Sequence, residues 1–330
     1  MVKVSILSLA HNHEKYIRDA LDGFVMQKTN FPFEVLIYDD ASTDTTADII
    51  QEYADKYPDI VKPLFEKENQ FSRGENVSKK YNWPRVQGEY VALCEGDDYW
   101  TDENKLQKQV DFLDSHPDCS LCFHPVRIVD QSNSAGEEIY PDQKLLQRAG
   151  ELNFASLLKR NFIQTNSVVY RWRFHKESYS LMPEHILPGD WFLHLLHAQV
   201  GKIGFLPEVM AVYRRNAGGV WTGANKQPQW FCRCGVPHIK FFEEMEKSFK
   251  ISKAYEREYF SYATCYAAQY LNDKEIRQCF ANIKGPAKYK LLNSFALAVL
   301  KFMRKITLND ISRKYKARYD ALKLYLSWKK

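Results

Sequence analysis

Apolar runs that end in polar residues alternate with amphipathic segments through the first hundred residues. The runs are short and rich in Val, Ile, Leu and Tyr, and they predict strands at 4–9, 33–38, 60–65 and 88–94. Residues 16–25 and 47–53 carry apolar side chains at helical spacing, which predicts a helix in each. Because strands separated by helices favour parallel pairing, this part of the chain predicts an α/β fold with a Rossmann-like, mostly parallel central sheet.

The pattern beyond residue 100 is less regular. The predicted elements are helices at 101–115 and 190–196, single strands at 120–129 and 161–170, a turn at 132–136 and a strand pair within 202–213. Beyond about residue 235 the pattern is helical to the end. We therefore expect one α/β domain at 1–225 and a helical C-terminal region at 226–330.

Polar pairs follow three of the predicted strands directly, at 11–12, 39–40 and 97–98. In a parallel α/β sheet, ligands bind in the crevice outside the carboxyl ends of the strands. The three pairs are far apart in sequence, yet each would lie at that edge. We expect them to meet in one crevice.

The most informative pair is Asp97-Asp98, which continues into Tyr99-Trp100. Two carboxylates on a tight turn provide hard oxygen ligands for a divalent ion that keeps open positions for diphosphate oxygens. Such an ion neutralises the charge that builds on a leaving nucleoside diphosphate. The alternative is a solvated Asp-Asp turn with no ligand.

Three segments together resemble a known family. They read VSILSLAHN at 4–12, VLIYDDASTD at 35–44 and GEYVALCEGDD at 88–98. In this order they are similar to the family-2 inverting glycosyltransferases of the GT-A fold, over roughly residues 2–220. The resemblance implies that residues 1–100 form a nucleotide-binding half and that residues 101–225 form an acceptor half.

The resemblance also implies a donor site. Asp40 would hydrogen-bond the base, Asp97 would lie near the ribose, and Ala10 and Asn12 would belong to the same site at the end of the first strand. Arg73 lies where the family often places a donor-contacting basic residue; the alternative is an exposed arginine with no such role. The implied partner is a nucleotide-diphosphate sugar.

Metal binding and catalysis are implied for a second set. Asp98 would hold Mg or Mn on the diphosphate, and Asp190 would be the general base, although it is also a competent helix N-cap. Trp191 would stack on an acceptor sugar, or it packs in the core. The chain departs from the family at Glu95, where Asp is common, and at Asn216, where His is common, so water or a donor oxygen would replace a third protein ligand.

These residues bear on four candidate functions. The preferred one is transfer of a single sugar, because the Gln-x-x-Arg-Trp motif of processive synthases is absent. A catalytically weak or inactive nucleotide-sugar or glycan-binding protein is the alternative. A nicotinamide-dependent oxidoreductase needs Gly-x-Gly-x-x-Gly after the first strand, and a nucleotidyltransferase needs a Gly-rich loop there; residues 10–15 read AHNHEK and supply neither.

The net charge of +5 is concentrated at the C-terminus. Residues 284–330 contain 13 Lys or Arg against two Asp, so the rest of the chain is net acidic and a nucleic-acid partner is not expected. Within this tail, residues 288–305 have an apolar middle and basic ends. We expect residues 288–330 either to lie on an anionic membrane surface, close to a glycan or lipid-linked acceptor, or to pack on the first domain.

Compartment signals are weak but consistent. No apolar run reaches the roughly 18 to 20 residues that span a bilayer, and no signal-peptide layout is present, so we expect a cytoplasmic protein, peripheral on the inner membrane face. Seven cysteines without framework spacing indicate reduced thiols. Cys232, Cys234 and His238 would ligate zinc, or the two cysteines are plain thiols.

Overall fold

The computed structural model describes residues 1–130, 138–149, 151–184 and 186–215, together with 241, 244–245 and 247–249. The chain divides into two compact units, Met1–His185 with Asp190–Asn216, and Ile186–Gly189 with Ala217–Lys330. Several predictions fall outside the described residues and stay predictions: the turn at 132–136, Asn216, the group at 232–238, the tail at 288–330 and most of the helical region at 226–330.

Strands and helices alternate through the first 65 residues of the first unit and follow a less regular order beyond them. The strands are β1 Val4–Ala10, β2 Phe33–Asp39, β3 Val61–Phe65, β4 Tyr90–Leu93, β5 Tyr99–Trp100, β6 Cys119–Phe123, β7 Val126–Asp130, β8 Glu138–Tyr140, β9 Val169–Arg171, β10 Lys202–Phe205 and β11 Ala211–Arg215. The helices are α1 Ile17–Val25, α2 Thr46–Lys56, α3 Lys105–Ser115, α4 Gln143–Ala149, α5 Phe154–Lys159 and α6 Gly189–Ala198. No helix in the described residues is long and apolar enough to cross a membrane.

Two sheets organise the described strands. The larger has seven strands in the order β10-β6-β9-β4-β1-β2-β3, and the smaller has four in the order β5-β11-β7-β8. In the larger sheet every neighbouring pair is parallel except the two pairs that involve β9. The α/β fold with a mostly parallel central sheet is thus confirmed.

Three strand predictions, one of them for a pair, were wrong in extent or pairing. The strand expected at 120–129 is two strands, β6 and β7, which break at Pro125 and belong to different sheets. Proline has no N–H for a ladder bond and terminates pairing there. The pair expected within 202–213 is β10 and β11, which also lie in different sheets. The strand expected at 161–170 is regular only at its end, as β9, after a 3₁₀ turn at Thr165–Ser167.

Helix α1 illustrates how the local pattern builds the core. Its buried side chains Ile17, Ala20, Leu21 and Phe24 recur at three- and four-residue spacing and cover one side of the sheet. Each large apolar side chain buried in this way contributes about 1.5–3 kcal/mol. Truncating the fully buried Phe24 to Ala is the single change most damaging to this helix, at about 3–5 kcal/mol.

The topology places several loop segments along one edge of the large sheet. The strands β1, β2 and β4 run parallel, so their carboxyl ends share that edge. Strand β9 runs antiparallel to β4 and therefore begins where β4 ends, as the 3.4 Å bond from Leu93 N to Val168 O shows. The turn before β9 consequently lies beside the turn that follows β4.

Candidate active site

The loops after β1 and β2 are bonded to each other. The amide of Asp40 donates to the carbonyl of Ala10 at 2.9 Å, which continues the strand pairing by one step. Asn12 then bridges the two loops, since its amide donates to Ser42 Oγ at 2.9 Å and its Oδ1 accepts from the amide of Thr43 at 2.8 Å. The polar pairs predicted to meet after β1 and β2 are thus in contact.

Two residues in this region have left-handed backbone conformations. The φ angles are 56° at Asn12 and 58° at Ala41. Asn tolerates this region, whereas an alanine there is held at a cost of about 1–2 kcal/mol. Strain of this kind is found mostly where the surrounding structure needs a loop in one particular path, often at a functional site.

The carboxylate of Asp40 anchors a third loop. Its Oδ1 accepts from the amide of Gln70 at 2.7 Å and from the hydroxyl of Tyr38 at 3.2 Å, and its Oδ2 accepts from the amide of Phe71 at 2.9 Å. The residue is only 5% exposed. Asp40 therefore organises the loop at 66–74 whether or not it also contacts a nucleotide base.

Arg73 lies on the surface of that loop. Its side chain is 58% exposed and forms an ion pair with Glu68 at 2.6 Å. The exposed alternative therefore fits its position in the described residues. A role in donor binding would require Arg73 to exchange the Glu68 carboxylate for a ligand.

The turn after β4 carries the acidic residues Glu95, Asp97 and Asp98. Asp98 is 2% exposed, and its Oδ1 accepts from the amide of Arg214 at 2.8 Å. Burial and the adjacent Asp97 charge raise the pKa of Asp98 well above its usual value. Burial and the Asp97 charge also raise the pKa of Glu95 to about 8, against a 3.1 Å bond from the amide of Leu9. Burial and the neighbouring negative charge therefore disfavour the ionised forms of Glu95 and Asp98.

A glycine allows this turn to approach the loop after β1. The amide of Gly96 donates to the carbonyl of Leu9 at 2.9 Å. A Cβ at Gly96 would lie 2.8 Å from Ile17 Cδ1, 3.0 Å from His13 Nδ1 and 3.1 Å from the carbonyl oxygen of Leu9, so even an alanine would force one of these neighbours to move. The third polar pair thus joins the other two at the sheet edge, as expected from the sequence.

Sequence reasoning missed Arg214 at the end of β11. Its Nη1 donates to the carbonyl of Asp97 at 3.0 Å, and its guanidinium lies 4.2 Å from the ring centroid of Tyr99 and pairs with Asp19. The side chain is 10% exposed. The sequence shows only a basic pair at a strand end, and the contact joins residues more than a hundred positions apart, so no local pattern announces it.

Asp190 lies in the first turn of α6, and its charge affects the pKa of Glu95 in the acidic turn. Its Oδ2 accepts from the hydroxyl of Thr165 at 2.7 Å. The Asp190 charge contributes, after burial and Asp97, to the raised pKa of Glu95. Asp190 is therefore close to the acidic turn, and its carboxylate is hydrogen-bonded at one oxygen by a neutral donor.

Trp191 and Tyr213 complete the surroundings of these carboxylates. The indole Nε1 of Trp191 donates to the carbonyl of Leu157 at 3.0 Å, which ties the ring to the end of α5 and fits its packing role. Tyr213 was missed by sequence reasoning. Burial, followed by the charges of Asp98, Asp97 and Asp190, raises its pKa.

The side chains fit a divalent ion that is shared with a ligand. Within the described residues no group of three or more His, Cys, Asp or Glu side chains is arranged to hold a metal ion alone. Mg²⁺ and related ions in phosphate sites are commonly bound through one or two carboxylates, with phosphate and water oxygens completing the shell. Asp98, buried and beside other carboxylates, is suited to such a shared site.

Comparison with known proteins identifies similar sequences. The sequence profile described as Glycosyl transferase family 2 matches residues 5–171. An uncharacterised protein of Mycobacterium tuberculosis is 50% identical over 221 residues, covering 67% of this chain and 61% of that protein. The chain thus spans 61% of the length of the first curated relatives that it matches.

Solved structures share the fold at low identity. Staphylococcus aureus TarS 1-349 in complex with UDP-GlcNAc superposes with a TM-score of 0.52 at 17% identity, over 94% of this chain and 95% of that one. The mannosyltransferase PcManGT from Pyrobaculum calidifontis in complex with GDP-Man and Mn²⁺ gives 0.55 at 16% identity, over 98% and 86%. The α/β fold of this chain is therefore of the GT-A type.

Proposed function

The chain belongs to glycosyl transferase family 2, and from this premise we propose that it transfers one sugar from a nucleotide-diphosphate donor to an acceptor hydroxyl, with inversion and with Mg²⁺ or Mn²⁺. One observation carries the proposal. The acidic turn at 95–98 follows β4, and the turn at 165–167 lies beside the end of β4. Because the hydroxyl of Thr165 donates to Asp190 Oδ2 at 2.7 Å, the acidic turn and Asp190 lie at the same edge of the sheet.

The donor binds, in this proposal, along the loops after β1, β2 and β4. Two proteins of the same fold are described with UDP-GlcNAc and with GDP-Man, which supports a nucleotide-sugar ligand at this edge. Ala10 and Asn12 line the part of the site that binds the nucleotide. Asp40 holds the loop at 66–74 beside it, and its carboxylate also accepts a hydrogen bond from the nucleotide base. Asp97 lies nearest the ribose.

Asp98 would hold the divalent ion together with the diphosphate of the donor. The Arg214 amide fixes Oδ1 of Asp98, so the carboxylate has a defined orientation before any ligand arrives. The ion, when bound, neutralises charge that develops on the leaving diphosphate. The chain's own part is to hold Asp98 and Asp97 in a poorly solvated turn, where that interaction is stronger than in water.

Asp190 acts as the general base. It takes the proton of the acceptor hydroxyl while that oxygen attacks the anomeric carbon from the face opposite the diphosphate, which inverts the configuration. Asp190 comes from a helix on the acceptor half, whereas the acidic turn comes from the nucleotide half. The acceptor hydroxyl belongs, in this proposal, to a glycan or lipid-linked oligosaccharide of the cell surface, and Trp191 borders it.

The test follows nucleoside diphosphate release from a panel of uridine, guanosine and thymidine diphosphate sugars, with Mn²⁺, Mg²⁺ or chelator. We expect metal-dependent release by the wild type and by Asp55→Asn, an exposed control on α2, and a loss of at least about a hundredfold in Asp98→Asn and Asp190→Asn. Donor binding by wild type without turnover on any donor and acceptor would identify a binding protein instead.

The basic tail suggests where the acceptor is met. Thirteen basic residues in 284–330 favour attraction to anionic lipid headgroups, at about 1 kcal/mol for each residue near the surface. The full chain should cosediment with phosphatidylglycerol vesicles at low salt and be released as the ionic strength rises. An absence of binding under these conditions removes the membrane part of the proposal without affecting the enzymatic part.

A further inference from the structure

The turn Thr165–Ser167 lies between the two groups that the proposed reaction depends on. It precedes β9, and the bond from Leu93 N to Val168 O places it beside the end of β4, where the acidic turn begins. On its other side the hydroxyl of Thr165 donates to Asp190 Oδ2 at 2.7 Å. One short turn therefore contacts Asp190, the proposed general base, and lies beside the acidic turn at 95–98.

Asn166 fixes the turn in place. It is fully buried, its Nδ2 donates to the carbonyl of Val212 at 2.8 Å, and its own carbonyl accepts from the indole of Trp100 at 2.9 Å. Trp100 pairs with Ala211, so both bonds tie the turn to the same two strands, β5 and β11. The turn cannot shift without breaking buried hydrogen bonds, each of which is costly to leave unmade.

The same strand also fixes the acidic turn. Two residues beyond Val212, the amide of Arg214 donates to Asp98 Oδ1 at 2.8 Å. A path of short, mostly buried bonds thus runs from Asp98 through β11 and Asn166 to Thr165 and ends on Asp190. This path sets the position of one carboxylate relative to the other.

We propose that Thr165 is a positioning residue, whose hydroxyl holds the Asp190 carboxylate so that its Oδ1 faces the acceptor hydroxyl. The inference rests on the proposed function of Asp190. The terminal torsion of an aspartate is broad, so without a partner the carboxylate rotates freely. A hydrogen bond to Oδ2 selects one orientation and leaves Oδ1 to receive the proton. Misplacement of a reacting group by about 1 Å costs roughly a hundredfold in rate.

The test compares Thr165→Val, which keeps the shape and removes the hydroxyl, with Thr165→Ser, which keeps the hydroxyl and removes a methyl group. We expect Thr165→Val to lower kcat for nucleoside diphosphate release about ten- to a hundredfold, the value of one hydrogen bond to a charged group. The donor KM and the Kd of UDP or GDP with Mn²⁺ should stay within about twofold of wild type. Thr165→Ser should recover most of kcat.

The outcomes separate this inference from the proposed function. A wild type with no turnover on any donor overturns both. An active wild type with Thr165→Val within about twofold of its kcat overturns the positioning role alone, as do equal losses in Val and Ser variants, because packing rather than the hydroxyl would then matter. If Thr165→Val does not fold, Thr165→Ala against Thr165→Ser makes the same comparison.

Discussion

Two Asp-Asp pairs follow buried strands at the same edge of the sheet, and the structure uses them differently. Asp39 and Asp40 accept several hydrogen bonds from neighbouring loops, whereas Asp98 accepts one from the amide of Arg214 and lies beside the charges of Asp97 and Glu95. Neither pair can be distinguished from the other by its residues or by the strand before it. The difference lies in what the rest of the chain brings to each.

The first pair is satisfied by neighbouring loops. Asp39 Oδ2 accepts from the amide of Ser42 at 3.0 Å, and Asp40 accepts from the amides of Gln70 and Phe71 at 2.7 and 2.9 Å. These hydrogen bonds hold the loop after β2 and the loop at 66–74 in place, so both carboxylates contribute to the fold at this edge of the sheet.

Asp98 in the second pair has a different environment. Asp98 receives one amide bond, from Arg214, while burial and the Asp97 charge raise its pKa well above its usual value. Groups with perturbed pKa values tend to mark functional sites, since a fold optimised only for stability would not crowd buried carboxylates. The hydrogen-bond donors that distant loops supply, and not the Asp-Asp motif, therefore set the environment of each pair.

The strongest test replaces one aspartate of each pair with asparagine, which removes the charge and keeps the shape of the side chain. Asp98→Asn should lower nucleoside diphosphate release at least about a hundredfold, while its free energy of unfolding in chelator stays equal to or above that of wild type, because like-charge repulsion is relieved. Asp40→Asn should instead lower the free energy of unfolding by about 2 kcal/mol, because an amide group would face the donors of Gln70 or Phe71. Kinetics and urea unfolding of both variants provide the measurement.

The opposite result would contradict this comparison of the two pairs. If Asp98→Asn is the less stable variant in chelator and Asp40→Asn is the inactive but stable one, the two pairs have the opposite roles. Asp55→Asn, exposed on α2, reports how much any Asp→Asn change alters either quantity.

The next effect is stabilisation by the cation itself. At about a hundred times its Kd, Mn²⁺ should raise the free energy of unfolding of the wild type by about 2.7 kcal/mol, since only the folded state holds the site. Asp40→Asn should keep this increment and Asp98→Asn should lose it. Thermal unfolding with Mn²⁺ and with chelator measures the difference, and an equal increment in Asp98→Asn would place the ion elsewhere.

The sequence predicted the parts of this arrangement that local patterns encode. Strands β1, β2 and β4 are continuous apolar runs followed directly by polar residues, so both the parallel sheet and the meeting of the polar pairs could be foreseen. Asp190 was found through a resemblance, and the structure places it near the acidic turn without testing its role. The strand break at Pro125 is explained by the proline. Because the residues on both sides of it are apolar, the sequence did not indicate that β6 and β7 belong to different sheets.

Long-range contacts were beyond the sequence. The amide of Arg214 on Asp98, the hydroxyl of Thr165 on Asp190 and the amide of Gln70 on Asp40 each join segments that are 25 or more residues apart. A residue's own neighbours carry no record of such partners. These contacts nevertheless decide which carboxylates are satisfied and which are available.

A smaller effect concerns pH and Glu95. In the unfolded chain this carboxyl titrates near 4.5, and in the folded chain burial and the Asp97 charge raise its pKa to about 8. Between these values the folded state binds more protons than the unfolded state, so the contribution of Glu95 lowers stability as the pH rises. The amount is about 2 kcal/mol, below the full shift because the side chain is partly exposed to water.

Glu95→Gln isolates this contribution. In chelator, the free energy of unfolding of the wild type relative to Glu95→Gln should fall from pH 5 to pH 8, since glutamine keeps an acceptor for the Leu9 amide and does not titrate. Urea unfolding across this range measures the difference. A difference that is flat with pH would show that the pKa of Glu95 is not raised in the folded protein, either by burial or by the charge of Asp97.

The smallest expected effect concerns the backbone directly after the Asp39-Asp40 pair. Ala41, directly after Asp40, has a φ of 58°, which costs an alanine about 1–2 kcal/mol and a glycine almost nothing. Ala41→Gly should therefore stabilise the protein by about 0.5–1 kcal/mol, because relief of strain exceeds the added entropy of the unfolded chain. Asn12→Gly, at a φ of 56°, should not, because it also removes the 2.8 Å bond to the Thr43 amide. Equal gains in both would mean that backbone strain alone, and not the hydrogen bonds between the loops, determines this part of the crevice; a loss in Ala41→Gly would mean that the loop is not strained there.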